Sequence, residues 1–415
     1  MSFVKIENFV HSALTKYPKL RNKLGKIYQR GMYYILPKIK KEGEIVKLTP
    51  NDEKEYFFGY YDKSPWDITE RYVLCLRVED TIKSVAPKEE AEIIMIDTQD
   101  NNNIEVIATT SAWNVQQGCM LQWLGPNYKE EIIFNDFREG NYCSVIKNIR
   151  TKEERIVPFP VFSVSQDGNF ALSLDFSRLH RLRPGYGYSY IPDSTVNERV
   201  PNDTCIWYID LKTGSVKPIL KYSDFVKLEH RNEMDNAEHK VNHIMINPSG
   251  TRFMVIHRWL KGGFKYSRLV TCNIDGTGMY NLSDDNFVSH CTWKNDEEIL
   301  SFLNKKSRGK GYYLLKDRTN NFKRVIPDLL VDGHPSYSPD NQSIVTDTYP
   351  NNQRLCSLYV IKGDKTTRIA RFFAPFKYGG DNRCDLHPRW DRKGEKICVD
   401  SVFEGKRGLY IVPVE

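Results

Sequence analysis

Val241-Asn-His-Ile-Met-Ile-Asn-Pro-Ser-Gly250, followed by Thr251-Arg-Phe-Met-Val-Ile-His-Arg-Trp259, reads as a strand, a turn and a second strand. The same figure returns downstream. His243, His290, His334 and His387 each stand three residues before a large apolar or aromatic residue: Ile246, Trp293, Tyr337 and Trp390. Turns follow at Asn247-Pro-Ser-Gly, Lys294-Asn-Asp-Glu, Ser338-Pro-Asp-Asn and Asp391-Arg-Lys-Gly, and each turn leads into a hydrophobic run. The four histidines are 47, 44 and 53 residues apart.

Three earlier copies lack the histidine. They are Ser64-Pro-Trp-Asp before Arg71-Tyr-Val-Leu-Cys-Leu-Arg, Gln122-Trp-Leu-Gly-Pro-Asn before Glu131-Ile-Ile-Phe-Asn-Asp, and Ser165-Gln-Asp-Gly before Phe170-Ala-Leu-Ser-Leu-Asp. Seven units of roughly 40–55 residues, each about four strands, predict a β-propeller, since a sandwich has no such period. The expected fold is all-β: a seven-bladed β-propeller over residues 43–415 behind an N-terminal α-helical extension, residues 1–42.

The chain has 415 residues, 40% hydrophobic and 27% charged, with 24 Tyr and 20 Phe, which suits a β-rich globular protein. Its net charge of +7 is uneven: residues 1–41 carry ten Lys and Arg against the single Glu7, so the body is slightly acidic. A slightly acidic body without basic stripes argues against nucleic-acid binding. The nine cysteines form no CxxC pair and fall mostly in strand-like runs, as buried thiols in a reducing compartment do. No signal-peptide h-region and no apolar run of membrane-spanning length is present, so a cytoplasmic location is expected, peripheral at the inner membrane if the basic segment binds lipid.

Residues 3–36 have helical periodicity. Phe3, Ile6, Phe9, Val10 and Leu14 share a face up to Pro18; Leu20, Leu24, Ile27, Tyr28 and Ile35 share another, opposite Lys23, Lys26 and Arg30. Such a basic amphipathic segment suits an anionic membrane surface, or equally a helix packed on the body with a solvated basic side.

In a propeller the innermost strands line one channel and start at the same mouth, so register brings the four histidines together. Second strands return to that mouth. Their ends, with the loops beside them, nominate Arg138, Arg178, Arg181, His257, Arg258 and Tyr349, and the approaches to the inner strands add His239, Arg383 and Asp385. Guanidiniums, imidazoles and carboxylates at a concave mouth suit a polar, anionic ligand. One such histidine is ordinarily a backbone hydrogen-bonding residue; four in adjacent blades point to a site.

Two chemistries stay open. His290, His334, His387 and Asp385 could hold a divalent metal, Asp385 and His387 alternating onto one face of extended chain. Without metal, the same groups serve acid–base catalysis, with Arg258 or Arg383 binding a carboxylate.

At these residues the chain resembles the oligogalacturonate lyase family, cytoplasmic seven-bladed propellers that cleave uronate sugars by β-elimination. The resemblance rests on Val241 to Gly250 with Met254 to Trp259, on Ser289-His-Cys-Thr-Trp293, and on Asp385-Leu-His-Pro-Arg-Trp390. It implies manganese as the metal, His290 and His387 as ligands, and His243 as proton acceptor. The chain departs from the family where Asp385 replaces the first histidine of a His-x-His pair and Asn382 a glutamine. The family has no counterpart of residues 1–41. The expected partner is therefore an acidic glycan or a lipid-linked saccharide, as in bacterial surface-polysaccharide assembly. The competing classes are a glycosyltransferase-like or glycan-binding membrane protein and a plain protein-interaction propeller.

Overall fold

The computed structural model describes residues 18–35 and 39–414. Seven antiparallel sheets stand around a central channel as a seven-bladed propeller. Blades one to three occupy Glu55 to Lys221. Blade four is Glu238–Ile246, Arg252–Lys261, Phe264–Asn273 and Tyr280–Ser283; blade five is Val288–Trp293, Glu298–Lys305, Gly309–Lys316 and Phe322–Val325. Blade six is Ser336–Tyr337, Ser343–Asp347, Leu355–Lys362 and Lys365–Phe373, and blade seven is Arg389–Trp390, Lys396–Ser401 and Gly408–Pro413. First strands run away from the histidine mouth and second strands return to it.

Neighbouring blades cover both faces of a sheet, so middle strands read as near-continuous apolar runs. Phe253, Met254, Val255 and Ile256 are all fully buried despite pointing alternately to opposite faces. Blade seven takes its outer strand from the other end of the chain: Val46 pairs with Ile411 and Lys47 with Tyr410. This fastening closes the ring and shortens the open edge of the blade to two residues. Lys41–Glu42, expected in the extension, instead adds a fifth strand to blade six, Lys41 opposite Phe372.

Helix Pro18–Ile35 precedes the sheets. Pro18 starts it, where a missing N–H costs no hydrogen bond. Tyr33 packs on Phe373 and Phe376 (ring centroids 5.7 and 5.2 Å), and Gln29 Nε2 donates to the Asn351 carbonyl. The expected helical face of Phe3, Ile6, Phe9, Val10 and Leu14 lies outside the described residues. No helix among the described residues is long and apolar enough to cross a membrane. All nine cysteines are buried and free.

Candidate functional site

Backbone irregularities aim the four histidines at the axis. In blade four the pairing slips between Asn242 and Met245, and His243 adopts φ +56°. In blade five it slips between Val288 and Cys291, bracketing His290. Such bulges re-aim side chains beside binding sites. His387 also takes a positive φ, +44°, a conformation that costs a non-glycine residue about 1 kcal/mol and persists where the surroundings enforce it. His334 follows Gly333, whose Cβ would lie 1.8 Å from the Asp347 carbonyl oxygen. Glycine thereby lets the chain pass close enough for the His334 N–H to donate to the Asp347 carboxylate (2.7 Å), which also meets Nδ1 (2.8 Å).

The rings form a buried chain: His243 to His290 5.5 Å, His290 to His334 4.1 Å and His334 to His387 4.4 Å between centroids. Tyr60 and Tyr61 pack against them from the channel. The Tyr60 hydroxyl lies 2.8 Å from His243 Nε2, and the Tyr61 hydroxyl donates to the Cys291 carbonyl. Gly59 makes this crossing possible, with φ +123° and room for no Cβ beside Gln117. The Asp400 carboxylate, paired with Arg389, accepts the Phe58 and Gly59 N–H groups and fixes the segment.

His334, Asp385 and His387 offer ligand atoms within 4.8 Å of one another. Nε2 of His334 and Nε2 of His387 are buried without any hydrogen-bond partner, an expensive state unless something takes the lone pairs. Asp347 on His334 Nδ1 and Asp332 on His290 Nδ1 (3.0 Å) are the outer carboxylates that set a ligand histidine's tautomer and leave Nε2 facing inward. A donor set of imidazoles and one carboxylate fits a divalent transition metal. Arg383 is the competing charge, its Nε 2.8 Å from Asp385.

Beside the histidines lies a cavity of about 140 Å³, lined among others by Arg183, Tyr186, Lys240, Arg258, Lys265 and Tyr349. Four of its lining groups are cations, and its one carboxylate, Asp332, is already engaged by His290 and Ser289. The cations depress one another. Burial and then Arg183 lower Arg258; burial and then Arg258 take Lys240 well below the ordinary lysine value; Arg258 and then burial bring Lys265 to about 7. Excess positive charge of this kind is relieved by an anion.

The structure brings together His243, Arg258 and Tyr349 on the cavity, with His290, His334, Asp385 and His387 alongside. Arg383 joins them, its guanidinium 5.3 Å over Tyr349 and donating to the Tyr186 hydroxyl. It does not bring the other nominated groups to the cavity. Arg178 is fully buried and donates to the carbonyls of His239, Thr195 and Arg199, a clamp within blade three and its crossover. Arg181 pairs with Asp193 and Glu238, and Arg138 with Asp136 and Glu154. His239 and His257 hydrogen-bond each other at 2.9 Å inside blade four, beside Trp259. Sequence reasoning missed Arg183, Tyr186, Lys240, Lys265, Tyr60 and Asp332. Only Lys240 carried a signal, alternating with Asn242 on the strand that holds His243.

Burial first, then neighbouring positive charge, holds His243, His257 and His387 well below the ordinary histidine value and brings His239 down to about 4. For His334 burial works downward, but Asp347 outweighs it and the net shift is upward. His180 and His290 are lowered too, burial being the main cause, and on unfolding all six depressed histidines take up protons near pH 6.5. Their neutral burial therefore costs stability as pH falls below about 6.5, with His334 opposing. The melting temperature is expected to drop on going from pH 8 to pH 5; a flat profile would contradict these placements.

The fold is the seven-bladed propeller of the oligogalacturonate lyases. A structure described as oligogalacturonate lyase in complex with manganese superposes with a TM-score of 0.63 at 17% identity, over 92% of this chain and 99% of that one. An oligogalacturonate lyase from Vibrio parahaemolyticus gives a TM-score of 0.57 at 12% identity, over 91% and 98%. At these identities the likeness is one of fold. No family model and no curated protein sequence matches the chain.

Proposed function

We propose that this propeller is a lyase acting on acidic, uronate-containing glycans by β-elimination, with His290, His334, Asp385 and His387 holding a divalent metal, manganese in the first place. The observation that carries the reading is the cation-lined cavity touching a chain of four imidazoles, two of whose Nε2 atoms are buried and unpartnered. When bound, such a metal supplies Lewis acidity to a coordinated carboxylate.

The chain's own residues divide the remaining work. Arg258 and Arg183 receive the uronate carboxylate and lower the pKa of the adjacent C5 proton. Neutral His243 accepts that proton; a bound carboxylate also offsets the positive charge that depresses it, raising its basicity at the moment of use. The C5 electron pair forms the C4=C5 bond as the C4–O bond breaks, and Lys265, with a pKa of about 7, returns a proton to the leaving oxygen. The burial of His243 keeps competing water from the base.

The test is direct. Incubated with acidic oligosaccharides and manganese, the protein should raise the ultraviolet absorbance of an unsaturated uronate. A flat trace across uronate substrates, with glycan binding retained by calorimetry, would favour the second reading, a glycan-binding or glycan-transferring protein of surface-polysaccharide assembly.

A further inference from the structure

We propose that the face of the propeller bearing the histidine mouth docks on an anionic lipid surface, so that the cavity opens toward the membrane. Docking at this face is independent of the reaction proposed above.

Second strands return to the histidine mouth and third strands leave from it, so every hairpin between them lies there. In blade four this tip is Lys261-Gly-Gly-Phe-Lys265, and in blade five Lys305-Lys-Ser-Arg-Gly-Lys310. The two tips hold six cations and no acid. Phe264 at the first is 51% exposed, and Lys265 beside it lines the cavity. The crossover from blade five to blade six adds Leu330 and Val331, 59% and 48% exposed, immediately before cavity residue Asp332. Large apolar side chains exposed at loop tips among lysines are the pattern of interfacial insertion and not of a solvated rim.

Helix Pro18–Ile35 reaches the same face. Its anchors on the propeller, Asn351, Phe373 and Phe376, follow the second and fourth strands of blade six, which both end on the histidine side. At 100° per residue, Tyr33 and Gln29 form the docked side, while Leu24, Ile27 and Ile35 project from the opposite one. These three are exposed. Of the apolar face read in the sequence, Leu24, Ile27 and Ile35 therefore point away from the propeller.

The occupant is chosen by charge. The tips of blades four and five carry only cations, whereas the tip of blade one holds Glu79, Asp80, Glu89 and Glu90 against Lys83 and Lys88, so the docking side is that of blades four and five. A second copy of the chain would bring its own cations to this face. An anionic bilayer accepts both the cationic tips and the apolar side chains among them.

The experiment is co-sedimentation of the full chain with vesicles of phosphatidylcholine alone or with phosphatidylglycerol. Binding is expected to need phosphatidylglycerol and to weaken with salt. A Phe264→Ser, Leu330→Ser, Val331→Ser variant should partition roughly tenfold less, as should Leu24→Ser with Ile27→Ser. Ile156→Ser, exposed on the outer strand of blade two, should bind as the parent does. Circular dichroism and an unchanged melting temperature verify that each variant is folded. The proposal is overturned if the parent ignores phosphatidylglycerol vesicles, if folded triple-serine protein binds as well as the parent, or if the substitutions dissociate a dimer instead.

Discussion

Replacing His334 with Ala should lower manganese affinity by more than about 100-fold. The estimate is a floor, since losing only an outer partner of a ligand histidine costs roughly 10–100-fold. His334 sits at the middle of the imidazole chain, 4.1 Å from His290 and 4.4 Å from His387, so it alone touches both flanking candidates. Asp347→Asn should give the smaller loss: Asn still accepts the His334 N–H but no longer carries the charge that fixes Nδ1 as donor. Arg383→Gln should act in the other direction by freeing Asp385 from its ion pair. Isothermal titration of manganese into metal-free protein measures all three without any need for substrate. Equal affinity in the parent and the His334→Ala protein would remove the metal from this site.

The histidine chain was legible because a propeller converts period into position. Four residues spaced 47, 44 and 53 apart fall on one mouth through the identical role of the inner strand in each blade. The sequence was less informative one residue to either side. His257 and Arg258 are neighbours on one strand, and alternation sends Arg258 to the cavity and His257 into blade four, against His239. His239 and Lys240 divide in the same way. Nominating His257 alongside Arg258, and His239 instead of Lys240, placed the mouth correctly and the direction wrongly. Arg178 and Arg181 were misread for a different reason: the helix Phe176–Leu182 interrupts blade three, and its basic residues are spent holding the crossover to the blade. The partners that tune the site are invisible in the period altogether. Asp332, Tyr60 and Arg183 come from loops that differ in every blade. Their approach depends on local permissions such as the missing Cβ of Gly333 and Gly59.

His243→Asn is expected to lower kcat/KM for uronate elimination about 1000-fold, within the roughly 10²–10⁴ that a positioned general base supplies. Asn is preferred to Ala here for a structural reason. His243 holds φ +56°, a conformation that Asn adopts far more readily than Ala, so the substitution removes the base and leaves the bulge in place. It also leaves the cations of the cavity where they are, and carboxylate binding should survive. The loss should therefore fall on kcat, with KM little changed, because the proton is transferred only in the transition state. Of the four rings His243 lies farthest from His387, and the cluster of His334, Asp385 and His387 does not include it. Manganese affinity should consequently stay within about threefold of the parent, separating the base from the ligands. Tyr60→Phe gives a finer reading, since the hydroxyl 2.8 Å from Nε2 orients the imidazole without receiving the proton; a loss of about 10-fold is expected. If His243→Asn retains the parent kcat while His334→Ala abolishes turnover, the proton acceptor lies elsewhere in the cavity, and Lys265 becomes the group to replace next.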